Sequence, residues 1–255
     1  MTSTSSGKRN IQIVLVLLFW LIVWQLAADA IGQDLFLVSP IKVIVILFGQ
    51  IQELDFWNTV GYSFVRIVSG FLLAIIVGVL LAVISAANGI IRAILAPLFS
   101  VIKSIPVASF IILVLIWAGS SKLSIVISFM MVLPILYTNV LQGIMGTDRK
   151  LLEMAKVFHI SIRKRIATIY IPGTLPYFSA GCRLGLGLCW KSGIAAEVIG
   201  LPDGSIGEKL YQAKIFLSTG ELFSWTIVII LVSFIFERLF FRFLRYFEKS
   251  IGLGR

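Results

Sequence analysis

Apolar blocks long enough to cross a bilayer recur along this chain, and they constrain its fold more than any other feature. A helix needs about 20 apolar residues to span the hydrocarbon core. Six spans are expected, at 11–30, 63–87, 105–118, 123–144, 175–199 and 222–244. The third is short and follows an apolar approach, 90–102, that contains Pro97; the fourth contains Pro134. Between the first two, residues 40–54 read as an amphipathic segment lying on the membrane surface. Of the 255 residues, 59% are hydrophobic and 13% charged, against about 25% charged in soluble domains, so an ordinary soluble core is excluded. The expectation is one all-α, polytopic membrane domain over 1–255.

The net charge of +10 would suggest nucleic acid in a soluble protein, but the basic residues flank the spans, which is how membrane proteins are oriented. With both termini in the cytoplasm, and Arg238 and Arg242 at the cytoplasmic end of the sixth span counted with that side, fifteen of the 22 Lys and Arg fall inside, four outside, and Arg66, Arg183 and Lys191 deeper within spans. No nucleic-acid partner is expected; the bilayer is. The start of the chain, basic and then apolar up to Ala28-Asp29-Ala30, reads as an uncleaved anchor or as a signal peptide. Cys182 and Cys189 lie seven apart on one helical face, too far along the axis to pair, and read as packing residues. The single histidine and scattered carboxylates give no metal-ligand spacing.

One polar, basic stretch interrupts the lipid-facing pattern. Thr147 and Asp148 are helix-start residues ahead of an apolar run, and Ser161 is a second possible cap. Pro172, Gly173 and Pro176 are expected to end the helix there and return the chain to the membrane. Two short helices joined near His159 and Ile160, with small Ala155 between them, make a cytoplasmic knob ringed by Arg163, Lys164 and Arg165. A solvated basic loop is the plainer reading of the same composition.

Glu153, Ala155, Ile169 and Pro172 fall at the spacing of the Glu-Ala-Ala motif of permease subunits of bacterial binding-protein-dependent ABC importers. Met154, His159 and Ile171 depart from it. His159 stands where glycine would permit a left-handed turn, so a differently shaped turn is expected there. The resemblance covers nearly the whole chain and is nearest the nitrate, sulfonate, taurine and bicarbonate branch. It rests on Ser39-Pro40, Ser63-Phe64-Val65-Arg66 with Gly70-Phe71, Ile105-Pro106, Gly119 to Lys122, Gly181-Cys182-Arg183-Leu184, and Ala196-Glu197-Val198-Ile199-Gly200.

The resemblance implies a type I importer in the bacterial cytoplasmic membrane. Its parts are two permease copies as a homodimer, two cytoplasmic ATPases gripping the segment 148–172, and an external solute-binding protein. Glu153, Met154, Ala155, His159, Arg163, Lys164, Arg165 and Pro172 would couple to the ATPase. The chain carries no Gly-x-x-x-x-Gly-Lys-Ser/Thr phosphate loop, so it is expected to be non-catalytic, with no cofactor of its own; ATP and Mg belong to the ATPase.

The translocation pathway is expected to involve Arg66, Arg183, Trp190, Lys191 and Glu197. Buried membrane charges face protein or a water-filled cavity. Arg183 and Lys191 on one helix favour an anion in transit, or else form salt bridges to Glu197 or Glu237. Trp190 reads as a gate or as a packed aromatic. Gly181 and Gly185 allow close helix approach, expected at the subunit interface. The loop 200–220 is expected outside, as a binding-protein surface or a turn-rich connector. The solute could equally be a thiamine precursor or other vitamin-like molecule. A stand-alone secondary transporter and a membrane enzyme are the rival classes, though no convincing internal repeat or catalytic cluster is present.

Overall fold

The computed structural model describes residues 4–250. In chain order the helices are α1 (Thr4–Ile31), α2 (Pro40–Ile51), α3 (Leu54–Ala87), α4 (Gly89–Ser104), α5 (Val107–Met145), α6 (Arg149–Val157) and α7 (Ile162–Arg165). A π-helical segment (Ile166–Tyr170), α8 (Ile171–Gly200), α9 (Ile206–Ile215) and α10 (Thr219–Ser250) follow. No strand occurs among the described residues. By length and composition, Ile11–Ile31, Leu54–Ala87 and Val107–Met145 are clearly apolar enough to cross a membrane.

The third and fourth expected spans both lie in α5, which breaks at Gly119, where φ is 68° and ψ is 169°. The fifth and sixth lie in α8 and α10, of 30 and 32 residues, both interrupted by charged side chains. The approach to the third span is a separate helix, α4. Its first amides donate to the Asn88 side chain, and it ends before Pro106, whose predecessor Ile105 is held extended.

Two compact units form. The first comprises residues 1–58 and 209–228. In it the apolar side chains of α1, such as Phe19 and Trp20, are exposed, as expected of a surface solvated by lipid. Trp24 Nε1 donates to Val38 O at 3.1 Å, Phe56 stacks on Trp225 at 5.2 Å, and Lys209 pairs with Asp55 at 2.7 Å. Ser39 caps α2 by accepting from Lys42 N.

The second unit comprises 59–208 and 229–255. Its centre is α5 against α8, with Leu123, Ile127, Leu136 and Leu186 sealed between helices. An aromatic ladder of Phe64, Phe71, Phe236 and Phe240 joins α3 to α10. Cys182 and Cys189 are free and buried, as packing residues should be. The small-residue face of α8 does not wait for a second subunit. A side chain at Gly181 would meet Asn139, one at Gly185 Val132, and one at Gly193 Ile67 and Ser128, all in this same chain. The close approach expected from Gly-x-x-x-Gly exists, and the neighbour is the protein's own α5 and α3.

Candidate functional site: an exposed helical hairpin and a sealed carboxylate

The basic segment folds as the expected pair of short helices. Asp148 caps α6 by accepting from Lys150 N at 2.8 Å, while Thr147 instead donates back to Gly143 O. Ala155 is fully buried. The turn that ends α6 is a Schellman motif. His159 N–H donates to Lys156 O at 3.0 Å, Ile160 N–H donates to Ala155 O at 2.9 Å, and His159 takes the left-handed position with φ 50°. The glycine-like turn is therefore kept despite the histidine, at a strain of about 1–2 kcal/mol.

Charge and apolarity divide across the hairpin. Glu153, Arg163 and Lys164 are exposed. Arg165 is half-buried and turned inward, its Nε donating to Ile160 O at 2.9 Å, so it braces the turn rather than joining the outer ring. Val157 and Phe158 stand 73% and 72% exposed, with Met154 and Ile162 bare beside them. A contiguous apolar tip on a polar element marks a surface for another molecule.

The chain does not loop back at Pro172. It stays helical from Ile162 to Gly200, passing through the π segment with Pro172 in the first turn of α8 and Pro176 inside it. Each proline lacks an N–H, and the widened π turn just before them is the local adjustment that lets the helix continue.

The five expected pathway residues separate into two groups. Arg183 and Lys191 are exposed on the open face of α8 and form no ion pair among the described residues. Arg183 lies over the Phe241 ring at 4.7 Å, in a cavity of about 450 Å³ with Glu237 and Arg238. Lys191 borders a neighbouring cavity of about 360 Å³ with Trp190 and Glu237. The expected bridge from these cations to Glu197 is not formed. Trp190 is 4% exposed and packs near Phe64, centroids 6.1 Å apart.

Arg66 and Glu197 make the second group. Arg66 sits 3.8 Å over the Tyr62 ring, half-buried and within electrostatic reach of Glu197. Glu197 is 0% exposed. Its Oε2 accepts from Ser63 Oγ at 2.7 Å and from Gly207 N at 3.3 Å, and Ser63 Oγ in turn accepts from Ile206 N at 2.9 Å. The carboxylate thus faces the first amides of α9, where the helix dipole favours negative charge. Within this subunit it presents nothing to a passing solute.

The helix α9 replaces most of the turn-rich loop expected at 200–220. Ser205-Ile206-Gly207-Glu208 is a capping box, with Ser205 Oγ accepting from Glu208 N at 3.0 Å and Glu208 Oε2 accepting from Gly204 N at 2.6 Å. That signal stands in the sequence. The pairing of Ser63 with Glu197 has no such local trace.

Long apolar helices, an exposed hairpin between them and charges lodged within α8 define a multi-pass membrane protein. Residues 70–253 match the family model described as the binding-protein-dependent transport system inner membrane component, and the chain belongs to that family. It is similar to the taurine transport system permease protein TauC of Escherichia coli (strain K12), 24% identical over 84% of this chain and 80% of the relative. It is similar also to the nitrate import permease protein NrtB of Synechococcus elongatus, 28% identical over 81% and 77%. A third relative is the formylaminopyrimidine transport permease protein ThiX of Halalkalibacterium halodurans, 25% identical over 77% and 80%.

Proposed function

We propose that this chain is one of two identical membrane subunits of an importer that moves a small anion, such as a sulfonate, nitrate or bicarbonate, by alternating access. A separate ATPase dimer supplies the energy and holds the ATP and Mg. The segment 148–172 faces the cytoplasm with both termini, and an external solute-binding protein docks around 200–220. The observation that carries the coupling role is the bare apolar tip of Val157 and Phe158 on a hairpin that also exposes Glu153, Arg163 and Lys164. Such a tip fills a groove in a partner, and Glu153, Met154, Ala155, His159, Arg163, Lys164, Arg165 and Pro172 shape it or fix its aim.

Support for an anion comes from Arg183 and Lys191, two cations on one helix without an ion-pair partner among the described residues, and from the taurine and nitrate relatives. With Arg66 and Trp190 they would line or border the route, where positive potential concentrates anions. ATP binding can drive the change only through its different affinity for the two states.

The test is copurification and uptake. The wild-type chain is expected to bring an ATPase with it, and Glu153→Lys to weaken that assembly about tenfold, or about 1.4 kcal/mol, with uptake of labelled taurine or nitrate falling in parallel. Full assembly and uptake in that variant overturn the docking role. A stand-alone transporter would work with no ATPase bound.

A further inference from the structure

We infer that Glu197, with Ser63 and Gly207, is a buried clasp that fastens the amino end of α9 to α3 and to the far end of α8, keeping these three segments one body while the permease changes state. Glu197 is a positioning residue in this assignment. The inference rests on the importer reading only where it speaks of two states.

Three features converge on it. First, hydrogen bonds join residues 134 and 143 apart in sequence, all wholly buried: Ser63 to Glu197 and Ile206 to Ser63. Second, Gly207 lies so near α8 that a Cβ there would overlap the backbone of Glu197, 2.4 Å from its carbonyl carbon, and Val198 N at 2.5 Å. No other residue type permits that approach, so the joint is made by backbone as well as by side chain. Third, the chain between α8 and α9 is only Leu201 to Ser205. It opens on left-handed Leu201, whose N–H donates to Glu197 O at 2.8 Å, and closes on the capping box.

A fixed joint follows from an asymmetry of cost. Separating α9 from α8 would take the Gly207 N–H donor from a carboxylate in a low-dielectric interior and leave that amide unpaired too, which costs more than breaking an exposed contact. Ser63 would lose the Ile206 N–H that it accepts from, while still donating to Glu197. A conformational change is therefore accommodated elsewhere, and whatever moves α8 carries the first turn of α9 with it. The basic side chain facing this cluster is Arg66, from α3.

Amide hydrogen exchange on the purified permease, alone and in complex with its ATPase, tests this. In Glu197→Ala the Ile206 and Gly207 amides should exchange at least tenfold faster than in wild type, while Glu197→Gln, which keeps an acceptor oxygen, should restore protection to within about threefold. Ser63→Ala removes one hydroxyl and should expose Ile206 without affecting Gly207, which keeps the measurement decisive if Glu197→Ala does not fold. In the wild-type complex trapped with ATP and vanadate, protection of these two amides should match the nucleotide-free state. Unchanged exchange in Glu197→Ala and Ser63→Ala, or loss of protection on trapping, overturns the clasp. If no ATPase binds at all, the importer reading fails, and the exchange of the permease alone still decides whether the clasp exists.

Discussion

At the amino end of α8 the chain leaves apolar side chains bare, whereas at its carboxyl end it seals a carboxylate away from solvent. Both regions use a short helix set against a longer one, and both rely on capping. The hairpin satisfies its backbone with Asp148 and the Schellman turn, and its large apolar residues, Val157 and Phe158, are left without neighbours. Around Glu197 the polar atoms are enclosed: Oε2 is bonded to Ser63 and Gly207, while Oε1 is buried without a hydrogen-bond partner among the described residues. Burial follows chemistry in opposite senses, which teaches where to look for partners. Exposed apolar atoms lower free energy only when something covers them, while the buried carboxylate has met donors within the chain at one of its oxygens.

The comparison breaks most readily at the tip. Replacing Val157 and Phe158 together by Asp should weaken ATPase binding by a hundredfold or more, about 3 kcal/mol, with the permease still present in the membrane at its normal level. Retained binding, measured by copurification across a range of ATPase concentrations, would remove the tip from the coupling role. At the sealed end, Gly207→Ala forces a methyl group into Glu197 and should cost about 1–3 kcal/mol. That change reads as a lowered Tm of the purified protein; an unaltered Tm contradicts the close packing there. The smallest effect is at His159. Glycine suits the left-handed position better, so His159→Gly should stabilise the hairpin by about 1 kcal/mol, seen as slower exchange of the Ile160 amide.

Much of this was legible in the sequence because the signals are local. Apolar runs marked the helices now seen as α1, α3, α5, α8 and α10, and Gly119 marked the break within α5. Asp148 and Ser161 placed the two short helices to within a residue. Other features were misread for identifiable reasons. Pro172 and Pro176 suggested an end to the helix, and the π segment that accommodates them has no compositional mark. Gly181 and Gly185 announce a close neighbour but not whose helix supplies it, and here α5 does. The capping box at Ser205 to Glu208 was readable, yet the glycines and proline around it suggested only turns. Nothing in the sequence near Glu197 points to its partner Ser63, which lies five helices earlier, a pairing that only the folded chain creates.

The unbroken helix from Ile162 to Gly200 has a mechanical consequence. At 1.5 Å per residue its 39 residues form a rod about 58 Å long. Arg163 and Lys164 at one end and Glu197 at the other lie near its opposite ends, the geometry of a lever arm. A tilt of about 5° at one end displaces the other by about 5 Å on that length, unless the π turn absorbs the bend as a compliant wrist.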